Sequence, residues 1–138
     1  MLVLDTDHLV ELDRGSAVGI ALQQKLENAN DVIATTIISA EEQFRGWLAQ
    51  IHRQREPHRQ IEAYERLHRR IDFFAAWNVL PWDVASANFF QELHGQRVRI
   101  GTMDLKIASI ALARGATLLS RNLRDFQKVP GLRIEDWL

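Results

Sequence analysis

Apolar and polar residues fall in blocks along this chain, and the block boundaries predict its elements. Leu2-Val3-Leu4 is a short apolar run that stops at Asp5-Thr6-Asp7, the pattern of a buried strand ending in polar residues. Asp7 is placed to cap a helix reaching about Arg14, closed by Gly15-Ser16. A helical stretch from about Ala17 to Asn28 carries Ile20, Leu22 and Leu26, and the turn sequence Asn28-Ala29-Asn30-Asp31 ends it. Val32-Ile33-Ala34-Thr35-Thr36-Ile37 is β-branched and apolar, which predicts a second buried strand. After Ser39, residues Phe44, Trp47, Leu48 and Ile51 fall at i, i+3, i+4 and i+7, one stripe of an amphipathic helix. Pro57 interrupts that pattern, and a further helix from about Arg59 to Ala76 carries Ile61, Tyr64, Leu67, Ile71 and Phe74. Val79-Leu80-Pro81-Trp82 predicts a third strand, and Asp83 opens a helix holding Phe89, Phe90 and Leu93. Gly101-Thr102 precedes a helix from Met103 to Arg114 that stops at Gly115. Thr117-Leu118-Leu119-Ser120 predicts a fourth strand and Leu132-Arg133-Ile134 a fifth.

Strands alternating with helices predict an α/β fold: a largely parallel central sheet of four to five strands, flanked by helices on both faces. No repeat, low-complexity tract or linker divides residues 1–138, so one domain is expected. In such sheets ligands bind beyond the carboxyl ends of the strands. Asp5 directly follows the first strand, and Glu42 is expected in the first turn of the helix after the second. Asp104 is expected in the first turn after Gly101-Thr102, and Asp125 follows the fourth strand with Ser120 and Asn122 between. Brought together, these acids repel: two carboxylates about 4 Å apart do so by roughly 4 kcal/mol at an effective dielectric near 20. A shared proton or a bound cation relieves this, and hard oxygen ligands suit Mg²⁺ or Mn²⁺. A metal so held activates water and neutralises a phosphodiester.

Each acid also has a purely structural reading. Ser39-x-x-Glu42 spells a capping box, and Asp104 is an acid favoured by a helix N-terminus. Asp5 and Asp7 read as turn residue and cap, and Asp125 as part of a surface turn. On a helical wheel Glu41 borders the Phe44/Trp47/Leu48/Ile51 stripe. Glu42 points to the other side with Gly46 and Ala49, which makes it the ligand candidate of the two.

The absence of cysteine excludes disulfides, thiolate zinc sites and thiol catalysis, and the five histidines show no zinc-ligand spacing. No apolar run approaches the roughly 20 residues of a membrane span, and the opening Met1–Asp5 is too short for a signal peptide; a cytoplasmic protein is expected. The net charge of −1 conceals an uneven distribution. Residues 1–44 hold eight acids against two bases, whereas residues 45–70 hold seven bases against three acids and residues 97–128 seven against two. An acidic spot bordered by basic surface is one consequence; solvated helix faces are the other.

These motifs resemble the PIN-domain nucleases, in particular the VapC-type toxins of bacterial toxin–antitoxin pairs. Leu4-Asp5-Thr6-Asp7 is similar to that family's opening motif, and Ser39–Gly46 to its second, where an acid precedes a glycine by four positions. That spacing selects Glu42. Gly101–Ala108 resembles the third motif with Asp104 as its acid, and Leu119–Phe126 with Val129–Leu132 and Asp136-Trp137 resembles the C-terminal signature. The resemblance implies a Mg²⁺- or Mn²⁺-dependent endoribonuclease with Asp5 and Asp104 as principal metal ligands and Glu42 either on the metal or orienting water; Asp125 either serves as the fourth catalytic acid or supports the site with Ser120. Thr6, Ser120 and Asn122 would support the site. Asn122 stands where many relatives have the fourth acid, and Asp7 adds an acid where the family often has Asn. The resemblance also implies a VapB-type antitoxin, a homodimer and possible larger assemblies. Beside that expectation, Arg45, Arg97, Arg99, Arg121 and Arg124 become candidates for a phosphate-binding rim. Two other functions fit parts of the sequence: a non-catalytic RNA- or protein-binding module, and a haloacid-dehalogenase-type phosphatase using Asp5 and Asp7.

Overall fold

A computed structural model describes residues 1–138. Five parallel strands form one sheet in the order β3-β2-β1-β4-β5. They are β1 (Leu2–Leu4), β2 (Ile33–Thr36), β3 (Val79–Leu80), β4 (Thr117–Leu119) and β5 (Arg133–Glu135). Pro81 ends β3 early because it lacks the N–H a ladder needs. Seven helices cover the sheet: α1 (Thr6–Arg14), α2 (Ala17–Ala29), α3 (Ile37–Arg53), α4 (Gln60–Ala75), α5 (Val84–Gly95), α6 (Thr102–Ala113) and α7 (Leu123–Phe126). No helix is long and apolar enough to cross a membrane.

Alternation along β1 divides the core. Leu2 and Leu4 pack on one face with Leu9, Leu22, Leu26 and Phe74 from α1, α2 and α4. Val3 faces the other side, with Leu93 of α5, Ile107 and Ile110 of α6, and Phe126 of α7. The start of α3 reaches both, Ile38 on one side and Ala40 on the other. Helix α6 shows why its sequence lacks a clear polar face: Leu105 and all residues from Ile107 to Ala111 are buried. Between α1 and α2, Gly19 lets two backbones meet, since a Cβ there would lie 2.1 Å from the Glu11 carbonyl oxygen.

Two boundaries correct the sequence reading. Asp5, not Asp7, caps α1, so that helix begins at Thr6 as the strand ends. Helix α3 begins at Ile37, capped by the Thr36 hydroxyl, which accepts the Ser39 N–H at 3.0 Å. Glu42 therefore lies in the second turn, not the first, and the Ser39–Glu42 capping box does not form. One histidine dismissed on spacing is structural. His8 is fully buried, and its Nε2 accepts the Trp137 N–H at 3.2 Å, fastening the C-terminal segment to α1.

Candidate active site

The register that sets Leu4 beside Leu119 also sets the next residues, Asp5 and Ser120, side by side at the carboxyl edge of the sheet. Asp5 Oδ2 accepts the Ser120 hydroxyl at 2.8 Å, and Oδ1 accepts the Thr6 N–H at 2.7 Å. Asp5 is only 7% exposed, and burial pushes its carboxyl up to about 6 against the pull of both hydrogen bonds. The negative charges of Glu42 and Asp7 push it the same way. Thr6 links it to the next acid, its hydroxyl donating to Glu42 Oε2 at 2.9 Å. Burial raises the Glu42 carboxyl as well, the Thr6 hydrogen bond opposing and the Asp104 charge adding.

A second pair forms across the mouth of α6. Asn122 Nδ2 donates to Asp104 Oδ2 and to Asp125 Oδ2, each at 3.1 Å. Burial raises the Asp104 carboxyl, with the Asp125 charge adding and the Asn122 amide opposing. The same amide, helped by Lys128, holds the Asp125 carboxyl below the usual range. The Asn122 backbone N–H donates to Ser120 Oγ at 3.1 Å, so one turn after β4 braces both pairs.

The four sequence-predicted acids thus stand as two bridged pairs, Asp5–Thr6–Glu42 and Asp104–Asn122–Asp125. Charge couples the pairs, for Glu42 responds to Asp104, and both Asp5 and Asp104 respond to Asp7. No group of three or more acidic or histidine side chains is set to grip a metal as the side chains stand. Yet none of Asp5, Glu42 or Asp104 has a basic partner among the ion pairs of the molecule. Three partly or fully buried carboxylates, all raised and all unpaired, are a donor set that fits a hard divalent cation retaining several waters.

The family model of the PIN domain matches residues 2–132 of this chain. The chain belongs to the PIN domain family. This PIN domain is 36% identical over 69 residues to the tRNA(fMet)-specific endonuclease VapC of Salmonella typhimurium, a match over 47% of the chain. It spans 52% of that relative's length. With the ribonuclease VapC2 of Haemophilus influenzae it shares 29% identity over 140 residues, 99% of this chain and 97% of that one. Its fold matches the crystal structure of VapBC2 from Rickettsia felis bound to a promoter DNA fragment, with a TM-score of 0.72 at 23% identity, covering 99% and 98% of the two chains.

At the acidic site of this PIN domain the two adjacent glutamates have different surroundings, as the helical wheel predicts. Glu42 faces Thr6, whereas Glu41 is exposed and pairs with Arg45 at 2.7 Å. Arg121 and Arg124 flank Asn122 and are exposed; Arg97 and Arg99 are exposed on the connection from α5 to Gly101. None of these five arginines bonds to Asp5, Glu42 or Asp104. Behind the site Arg70 ties α4 to α1 and α3, bound to Asp13 and donating to Gln43 Oε1 at 3.1 Å. The bridging roles of Thr6 and Asn122 went unread in the sequence, because each joins residues distant along the chain.

Proposed function

We propose that this PIN domain is an endoribonuclease, the toxin of a toxin–antitoxin pair, acting on RNA with Mg²⁺ or Mn²⁺. The observation that carries the reading is the buried Asp5 carboxylate, without a cationic partner, beside the raised carboxyls of Glu42 and Asp104. Asp5, Glu42 and Asp104 would hold the cation. Bound there, it would polarise a phosphodiester and make water a nucleophile at neutral pH.

The protein's own groups have separable parts. The Thr6 N–H and Ser120 hydroxyl each occupy one Asp5 oxygen, fixing the carboxylate plane while leaving each oxygen a further lone pair. Glu42 Oε1 is free of hydrogen bonds while Oε2 is held by Thr6, so Oε1 is available to take a proton from water. Asn122 keeps Asp104 and Asp125 from swinging apart. Arg97, Arg99, Arg121 and Arg124, with Arg45, would meet the phosphates around the crevice. VapBC relatives support an antitoxin of the VapB type as partner; a toxin homodimer acting in the cytoplasm belongs to the same proposal.

The phosphatase reading loses its basis with the fold and the site. The PIN-domain match covers residues 2–132, and the phosphatase reading leaves the raised carboxyls of Glu42 and Asp104 beside Asp5 unexplained. The binding-only alternative is tested together with the proposal. Wild type, Asp5→Asn and Asp104→Asn are compared on total RNA with Mg²⁺, Mn²⁺ or EDTA. Discrete fragments are expected from wild type alone and only with metal. Intact RNA with metal-saturated wild type would favour a binding module instead.

A further inference from the structure

Helices α3 and α4 form a hairpin whose closing turn is firmly built. Gln60 Nε2 donates to the carbonyls of Ile51 at 3.3 Å and Gln54 at 2.7 Å. Glu56 accepts the backbone N–H groups of His58 at 3.1 Å and Arg59 at 2.9 Å. Along this hairpin lie two adjoining concavities that share Arg66. The first, of about 250 Å³, is lined by Gln50, Arg53, Gln54, Arg59, Arg66 and one acid, Glu62, with Ala63 as the one hydrophobic residue. The second, of about 420 Å³, adds Arg69, Arg70 and Asp13 beside Trp47 and Phe73.

The charges here are unequally satisfied. Arg66 pairs with Glu62 and lies 5.7 Å from the Trp47 ring centroid, and Arg70 is held by Asp13. Arg53, Arg59 and Arg69 have no carboxylate partner. At 1.5 Å rise per residue, Arg53 lies about 16 Å from Glu42 along the axis of α3. One helix therefore carries both a site acid and the basic groove.

We propose that this groove holds the sugar–phosphate backbone of the RNA substrate, several nucleotides away from the bond that is cut. The inference rests on the endoribonuclease reading above. Guanidinium forks match phosphate oxygens, and the Gln50 and Gln54 amides add neutral donors. In the first concavity a protein partner is the poorer occupant, because stable protein interfaces centre on apolar anchors and it offers one alanine; in the second, Trp47 and Phe73 offer aromatic faces beside the arginines on which unpaired bases stack.

The test measures binding of a labelled single-stranded RNA to full-length Asp104→Asn protein in EDTA across a salt series. Into that background go Arg53→Gln, Arg59→Gln and Arg69→Gln together. A control carries Ala21→Glu, Gln23→Glu and Gln24→Glu on α2, which shifts net charge equally. Circular dichroism melting verifies that each protein is folded. Each lost phosphate contact removes roughly 0.7 from the slope of log K against log salt. The arginine variant should therefore lose about 2 from that slope, and the control should keep it. With the active site intact, the arginine variant should show a raised KM on long RNA, an unchanged kcat, and undiminished cleavage of a dinucleotide.

An unchanged slope, or an equal loss in the control, overturns the groove. So does retained RNA binding by the arginine variant when its binding of labelled polyglutamate, titrated in parallel with the parent protein, is lost, which marks an acidic protein site. If wild type cuts no RNA while the slope still falls as expected, the groove stands and the endoribonuclease reading fails alone.

Discussion

Replacing Asp5 by Asn should stabilise the metal-free protein at neutral pH, although it removes a residue at the heart of the site. Burial raises the Asp5 carboxyl from 3.8 to about 6, so the folded chain holds this proton more tightly than the unfolded chain does. Ionisation of Asp5 therefore destabilises the fold, and a gap of that size corresponds to about 3 kcal/mol. The sign is set by the raised value. The penalty is complete above pH 6, shrinks as pH falls through the window from 6 to 3.8, and is absent below it. Asparagine fits the same bonds: its oxygen can accept the Thr6 N–H, and its amide can donate to Ser120 Oγ once that hydroxyl turns. Urea unfolding of wild type and Asp5→Asn in EDTA, from pH 4 to 8, reads the difference. The variant should be more stable by about 2–3 kcal/mol at pH 8 and indistinguishable near pH 4. Saturating Mn²⁺ should then raise wild type by about 2.7 kcal/mol at a hundredfold excess over its Kd and leave the variant unmoved. A variant less stable than wild type at pH 8, or a pH-independent difference, would refute the argument that Asp5 is buried as an uncompensated charge.

Three further outcomes follow from neighbouring residues. Ser120→Ala removes a hydrogen bond that holds Asp5 ionised, so the acidic limb of the cleavage pH–rate profile should move up by about one unit. Burial lowers the His8 pKa, so the contribution of neutral His8 is whole above 6.5 and falls as pH drops below it; His8→Gln should flatten that part of the stability profile. Gly19→Ala drives a methyl into the Glu11 carbonyl and should cost about 2 kcal/mol in chemical denaturation by forcing α1 and α2 apart.

The sheet was legible because its strands are short, apolar and each ended by polar or turn residues, as Leu4-Asp5 and Leu119-Ser120 show. Helix starts were read less well. Competing caps stand close together at Asp5 and Asp7 and at Thr36 and Ser39, and the choice is made by where the strand leaves the sheet. The separation of Glu42 from Glu41 was legible, since helical periodicity alone sends them to different surroundings. Asp5 and Glu42 are 37 positions apart and meet through Thr6, while Asn122 reaches back 18 positions to Asp104; no local pattern encodes either bridge. The burial of His8 was hidden for the same reason, its partner being Trp137 at the other end of the chain.

If these acids direct water at an RNA phosphodiester, the ends of the cleavage products carry its mark. RNA cut by wild type with Mg²⁺ in ¹⁸O-labelled water should carry the label in its new terminal phosphate, and a 2′-deoxy substitution at the cut position should leave cleavage intact. Fragments ending in a 2′,3′-cyclic phosphate, with cleavage abolished by the 2′-deoxy substitution, would show the RNA's own hydroxyl as nucleophile and exclude water in that role.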